Sequence, residues 1–507
     1  MSAGAPRIAT TTAEEVLERA VDDRALRTAP ASIAAVCERG EVRGVRTHGH
    51  PRADDGATTS RDTVFRIASM SKSFLSATVL ALRDAGSLDL HAPITEYLPA
   101  VRARHRGADA VLTGDLLLSN RSGLGEDNAW ADRNLGASRA EIAALFAEGV
   151  RLSAAPGTTY QYSNLGQSLL GAAVEAVTGQ GVEEVVRETL LVPLGLTRTS
   201  HSADGYPSET LAGGFRTFDD GASFRPEPYV RTGALGCIGS MFSTVDDIAT
   251  WMWFLGSAFT DEPLAPGVLA PASRIEMQQP RTPIAVPSGM FDGRDLAGAG
   301  YGYGLFVEED RRFGRIVQHS GGLPGFSSHM RWHAATGVGV VAFGNSDEFG
   351  ARRVAGTALH EVLDRIDAPS AVVQPWPETV TAAQSIDAAI LEGRGAADYP
   401  FLADHVHDDV PPDIRDSRLA AHIAAIGGIC AVQRPFAERV TEAATEAELR
   451  WRIGGERADL RVEVRLVGVP RPLVQGLTVT VIEHGETRTA DEVPSAAERH
   501  RILLAGE

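Results

Sequence analysis

The chain has 507 residues, 43% of them hydrophobic and 22% charged, with a formal net charge of −18. That length is enough for two or three domains and a large core, and the composition is that of a globular protein rather than a disordered one. An acidic surface repels phosphate backbones, so nucleic acid is excluded as a partner. The three cysteines, Cys37, Cys237 and Cys430, are too few and too scattered for a disulfide framework or a C-x-x-C metal pair.

The N-terminal stretch lacks a basic segment followed by an apolar one, so no signal peptide is expected. No run reaches about 18 apolar residues, so no membrane span is expected either. On these features a cytoplasmic location is expected.

The first predicted element is an amphipathic helix, Thr12 to Asp23, with Thr12 and Glu15 as a capping box. Two β-leaning runs then flank Arg39-Gly40, which reads as a hairpin turn. Phe65 to Ala68 is a short apolar lead-in to a helix from Met70 to Ala85, stopped by Gly86. Phe74 to Leu82 is apolar nearly all round, so this helix is expected inside the core. Residues 113 to 196 are helix-rich, with loops at Ser119–Gly125 and Ala155–Asn164. From Gly300 onward glycine-rich strands return. Strands at both ends of the region and helices in the middle predict a sheet built from distant segments.

Ile366–Glu378 holds three prolines and reads as a linker. Beyond it Leu419, Ile423 and Ile426 share a helical face. Alternating strands follow: Leu449, Trp451 and Ile453; Leu460, Val462, Val464 and Leu466; Leu477, Val479 and Val481. Gly454-Gly455 suits a hairpin turn. The expected organisation is therefore a mixed α+β domain over residues 1–366, a linker over 367–378, and a small α+β accessory domain over 379–507.

Lys72 is the one lysine in a chain that carries 47 arginines. Arginine keeps its proton in a protein, whereas a buried lysine can lose one. A lone lysine in that background marks a place where deprotonation matters. Ser69 lies three residues earlier, so hydroxyl and amine share a helical face. A serine hydroxyl needs such an adjacent base to become a nucleophile. The start of the helix also offers backbone N–H groups to a developing oxyanion. Tyr162-Ser163-Asn164 supplies a hydroxyl and an amide suited to proton transfer and to orienting a lysine. His319-Ser320-Gly321-Gly322 ends a strand-like run, and its glycines permit close approach of a ligand. Trp130, Phe224, Tyr229, Tyr301 and Tyr303 are candidates to line a pocket, with core or surface packing the stronger expectation for each.

The order S-x-x-K, Y-x-N, H-x-G resembles the serine β-lactamase and penicillin-binding-protein superfamily. The likeness covers about residues 10 to 366, and FRIASMSKSF, SNRSGL, PGTTYQYSNLG and HSGGLPGF are similar to its class C and esterase branch. The resemblance implies a transpeptidase-like fold, an antiparallel sheet flanked by helices plus a helical subdomain. It implies that Ser69 forms an acyl-enzyme, that Lys72 and Tyr162 share the proton traffic, and that Asn164 holds Lys72. It implies an oxyanion hole from the N–H groups of Ser69 and Gly322, with substrate against Ser320 and Gly321. His319 stands where many relatives have lysine, as a weaker, pH-dependent cation.

The expected activity is hydrolysis of an ester or amide, by an esterase or a D-amino-acid peptidase or amidase. A β-lactamase, a peptide cyclase or thioesterase, and a binding protein that acylates without turnover remain as alternatives. No cofactor or metal is expected. The expected partner is a small-molecule or peptide substrate, with no membrane, and self-association stays open.

Overall fold

The computed structural model describes residues 8–52, 56–286, 294–483 and 499–504. The described residues divide into two compact units, one formed within 8–310 and 315–368, the other within 311–314 and 369–504. Among the described residues no helix is long and apolar enough to cross a membrane.

The first unit is built on an eight-stranded sheet. Its strands are β1 (Ala31–Glu38), β2 (Glu41–Gly49), β3 (Thr282–Pro283), β4 (Leu296–Tyr301), β5 (Phe306–Asp310), β6 (Gly314–Leu323), β7 (Phe326–His333) and β8 (Val338–Gly344). They lie in the order β3-β4-β5-β6-β7-β8-β1-β2. The pairings β3–β4, β4–β5, β6–β7, β7–β8, β8–β1 and β1–β2 are antiparallel. The sheet thus joins the two ends of the unit, as the strand distribution predicts. At the β1–β2 turn both Arg39 (φ 49°) and Gly40 (φ 83°) are left-handed, the backbone that a two-residue hairpin demands.

Helices α1 (Thr10–Ala20), α2 (Ser71–Asp84), α3 (Asn164–Thr178), α4 (Val245–Gly256) and α5 (Ala351–Arg365) pack around the sheet. β1 is buried along its whole length because α1 and α5 cover one face and α4 the other. The capping box expected at Thr12 does not form. The helix begins at Thr10, and its N-cap is Ala9, with no side-chain hydrogen bond. Thr12 is therefore already inside the first turn, where its hydroxyl has no cap to make.

α2 runs through the core, and Gly86 (φ 73°) ends it in the left-handed conformation. Phe74 stacks on Trp251 of α4 at 4.0 Å between ring centroids, and Trp251 Nε1 donates to Ser73 Oγ at 3.0 Å. Burying each such ring contributes about 1.5–3 kcal/mol, and these contacts hold the amino end of α2 rigid. Short helices between residues 114 and 186 form the second half of the core, with α3 against α2.

In the second unit, α6 (Pro377–Leu391) and α7 (Pro412–Ala425) accompany a four-stranded sheet of β9 (Val440–Glu442), β10 (Glu448–Gly454), β11 (Ala458–Val467) and β12 (Leu473–Glu483). Leu449, Trp451, Ile453, Leu460, Val462 and Val464 point to one buried face, as their alternation predicts. β12 is an edge strand, and its Val481 is exposed. Gly454 still pairs with Asp459, so the chain reverses at Glu456-Arg457, two residues later than Gly454-Gly455. Part of the proline-rich stretch is ordered: Val372–Val373 pairs in parallel with Arg501–Ile502, and Pro377 opens α6.

Candidate active site

Ser69 occupies a single tight turn, Ala68–Met70, between the short strand Phe65–Arg66 and α2. Ala68 is left-handed (φ 48°), a conformation that costs a side-chain-bearing residue about 1–3 kcal/mol and needs outside support. Several bonds provide it. Ser71 Oγ donates to the Ala68 carbonyl at 2.6 Å, Ser328 Oγ to the Ile67 carbonyl at 2.8 Å, and Ile67 N–H to the Met241 carbonyl at 2.9 Å. Gly321 of β6 presses on the same turn. A Cβ there would stand 2.1 Å from the Ile67 oxygen, so any larger residue would push strand and nucleophile apart. The Ser69 N–H falls in a first helical turn, where backbone donors have no partner within the helix.

The Lys72 side chain is fully buried. Its Nζ lies 2.9 Å from Ser69 Oγ, 3.2 Å from the Ile238 carbonyl and 4.9 Å above the ring of Tyr162. Burial disfavours the ammonium and lowers its pKa from 10.5 to about 7, against the opposing pull of Asp132 and Asp127. In the neutral state Nζ is an acceptor for the Ser69 proton.

The Tyr162 hydroxyl is hydrogen-bonded to Ser69, and burial pushes its pKa well above the usual phenol range. It therefore remains a proton donor. Asn120 brackets this tyrosine, its carbonyl accepting the Gln161 N–H at 2.8 Å and its Oδ1 the Ser163 N–H at 3.2 Å.

Asn164 is placed differently from its expected role. Its Nδ2 donates to Asn128 Oδ1 at 2.7 Å and Asp127 Oδ1 at 3.1 Å, and the second partner of Lys72 is the Ile238 carbonyl instead. The cause lies at the start of α3. The Asp127 carboxylate accepts the N–H groups of Asn164 at 2.7 Å and Leu165 at 2.8 Å, where helix donors are free and the dipole favours an anion.

His319 is 1% exposed. Its Nδ1 meets the Ser320 carbonyl at 2.6 Å, so Nδ1 carries the proton, and Nε2 is the acceptor for the Tyr301 hydroxyl at 3.3 Å. Burial, reinforced by the positive charge of Lys72, lowers its pKa to about 3. The expectation of a pH-dependent cation is corrected: this histidine is neutral throughout the physiological range. Phe306, at 5.5 Å between centroids, and Tyr162, at 6.1 Å, complete an aromatic wall around it.

The hydroxyl of Ser320 is turned from the substrate side that was expected for it. Neighbouring strand residues face opposite ways, and Ser320 Oγ bonds His329 Nδ1 at 2.8 Å across to β7. Gly321 is buried in packing against the turn, whereas Gly322 is exposed with open space on its side-chain position. Of the other aromatics, Trp130 is exposed and Tyr303 donates to Asp115 at 2.6 Å.

Ser69, Lys72, Tyr162 and His319 thus come together with Tyr301, one of the aromatics singled out in the sequence, while Asp127, Asp132, Asn120 and Phe306 join them without having been assigned a role there. Asp132, on the helix Asn128–Arg133, is raised to about pKa 6 by burial. The aromatic partners and SNRSGL were visible as motifs; the two aspartates carry no local signal.

The beta-lactamase family model matches residues 17–364. The chain is similar to Protein flp of Staphylococcus aureus (strain COL), with 25% identity over 321 residues, 62% of this chain and 59% of that one. It therefore spans under two thirds of that relative's length. It is also similar to Esterase EstB of Burkholderia gladioli, with 36% identity over 192 residues, 35% of this chain and 49% of that one. Among solved structures, the octameric penicillin-binding protein homologue from Pyrococcus abyssi superposes with a TM-score of 0.58 at 20% identity, over 91% of this chain and 99% of that one. Fold, motif order and the match across residues 17–364 agree that the chain belongs to the beta-lactamase family.

Proposed function

We propose that the protein is a serine hydrolase that acts on an ester or amide through an acyl-enzyme on Ser69. The observation that carries this reading is the 2.9 Å contact between Ser69 Oγ and a fully buried lysine whose pKa is near 7. The Ser69 proton passes to Lys72 Nζ as Oγ bonds to the substrate carbonyl carbon. The carbonyl oxygen takes up negative charge against the N–H groups of Ser69 and Gly322. Expulsion of the leaving group follows, with the proton returned to it by way of Lys72 and Tyr162. Water then attacks the acyl-enzyme by the reverse proton path and releases the acid.

The surroundings favour a neutral or amine-bearing acyl group. His319 offers no positive charge to a substrate carboxylate, and the field of Asp132 reaches both Lys72 and Tyr162. This speaks for the esterase and amidase readings and against efficient hydrolysis of carboxylate-bearing β-lactams. The similarity to EstB supports the ester reading. All of this machinery lies within the first unit, which we assign as the catalytic domain, with residues 379–507 as its accessory domain. The three thiols are unpaired and suit a reducing compartment, so we place the reaction in the cytoplasm.

Hydrolysis of p-nitrophenyl acetate by wild type, Ser69→Ala and Lys72→Arg tests the proposal. Turnover by wild type with losses of about 10²-fold or more in both variants is expected, since the arginine keeps the charge but cannot accept a proton. Stoichiometric acylation without turnover would establish a binding protein in place of an enzyme. Full activity of Lys72→Arg would overturn the mechanism.

A further inference from the structure

A cavity of about 1040 Å³ opens in the first unit between residues 181–204 and residues 229–242. None of Ser69, Lys72, Tyr162 and His319 lines it. Leu191, Leu196 and Phe242 give it apolar walls, and Arg66 lies against them only 3% exposed. Arg66 Nη2 donates to the Val230 carbonyl at 3.0 Å and to Ser240 Oγ at 3.4 Å. Its Nε is buried without a partner, and among the described residues no carboxylate pairs with it.

The acidic side chains that line the same cavity have partners of their own, and none of them is paired with Arg66. Glu184 holds Arg187 at 2.7 Å, Glu183 holds Arg139 at 3.0 Å, and Asp204 accepts from Ser202 Oγ at 2.9 Å. Arg231, exposed at the rim, adds a second cation without an ion pair among the described residues. Burial lowers Arg66 to about pKa 10, which still leaves it charged at neutral pH. A buried guanidinium without a counterion is costly, and an anion placed beside it removes that cost.

We propose that this cavity is a second binding site, separate from the Ser69 centre, for a small organic carboxylate. The carboxylate pairs with Arg66, and its apolar body lies against Leu191, Leu196 and Phe242. The segment that walls this cavity also supports the catalytic turn. Ile238 gives its carbonyl to Lys72, and Met241 accepts from Ile67 N–H and donates to Ser71 Oγ at 3.3 Å. Occupancy is therefore felt at Ser69, although the bound acid is not a reactant.

The test is calorimetric titration of the full chain, with Ser69 blocked beforehand by a phosphonylating reagent, using octanoate, the neutral octanamide and acetate. Saturable one-to-one binding of octanoate is expected, with octanamide and acetate weaker by about tenfold or more. Arg66→Met is expected to lose binding to the same extent. Should that variant fail to fold, the octanoate and octanamide comparison on the wild-type sequence decides by itself. No saturable binding of octanoate, equal affinity for octanamide, or unchanged affinity in a folded Arg66→Met protein would each overturn the site. Loss of binding on blocking Ser69 would place the acid in the reaction centre and overturn it as well.

Discussion

Acylation of Ser69 should switch on as pH rises through about 7, because that is where burial sets the Lys72 amine. An amine left at 10.5 would be unprotonated in about one molecule in 3000 at neutral pH, whereas one at about 7 is free in about half. The difference amounts to roughly 5 kcal/mol, at about 1.36 kcal/mol per pH unit. Asp132 is the largest influence working against this shift, since its carboxylate favours the ammonium. Asp132→Asn removes that attraction, so the pKa of Lys72 falls further and the acid limb of kcat/KM moves to lower pH. Asp132 is half-buried and solvent screens it, which limits the displacement to about half a unit to one unit. The assay is initial-rate hydrolysis of p-nitrophenyl acetate across pH of about 5 to 9, with folding followed by circular dichroism. A wild-type limb centred near 10, or an Asp132→Asn limb that stays in place or moves upward, refutes the assignment of the base.

Acid should destabilise the fold through its buried imidazoles. His319 (about 3) and His201 (about 4) stay neutral when folded but take up protons below about 6.5 when unfolded. Stability is then lost as pH falls from about 6.5, by up to roughly 3–5 kcal/mol for each, and a melting temperature that is flat from about pH 7 to 5 contradicts this. Asn120→Ala should cost about 1–3 kcal/mol and lower kcat more than it raises KM, because the Ser163 N–H loses its acceptor and Tyr162 its support. Asn120 is itself left-handed (φ 52°), so Asn120→Gly, which relieves the backbone, serves as the control that isolates the amide. In the second unit, Asp387→Ala should cost about 3–5 kcal/mol by thermal melt, since it strands buried Arg439 and Trp451 Nε1, both of which bond that carboxylate. A loss under about 1 kcal/mol would mean that water replaces the carboxylate there.

What could be read from the chain was what chemistry or periodicity confines to a few neighbouring residues. Ser69 and Lys72 are about one helical turn apart, so the turn Ala68–Met70 and the start of α2 are enough to bring them together. The Arg39-Gly40 turn and the alternation of β10 and β11 are equally local. The misplacements come from tertiary structure. Asn164 turns to Asp127 because a distant loop delivers a carboxylate to the start of α3, and no spacing in the sequence announces it. Asp132 reaches Lys72 across 60 residues by the same route. His319 departs from the charge expected of it for a related reason. Histidine titrates near neutrality only in water, and Tyr162, Tyr301 and Phe306 take the water away.

The chain uses arginine wherever a permanent charge is wanted and reserves lysine for one position. At that position the charge must leave for the reaction to begin. Once Lys72 is neutral, His319 supplies no replacement cation, and Asp127 and Asp132 bias the local field toward negative. Oxyanion stabilisation then rests on backbone N–H dipoles, which stay fixed while the lysine cycles its proton. Such dipoles suit a carbonyl and do little for a fully charged carboxylate elsewhere on the substrate. A lysine at position 319 would reverse that preference in principle, but it would sit in the same aromatic enclosure beside Lys72. Each ammonium would disfavour the other, and Lys72 would be neutral over a wider pH range. His319→Lys is therefore expected to shift the acid limb of ester hydrolysis downward without creating efficient β-lactam turnover. A gain of penicillin hydrolysis comparable with the ester rate would show that charge at this one position, rather than the enclosure around it, selects the substrate.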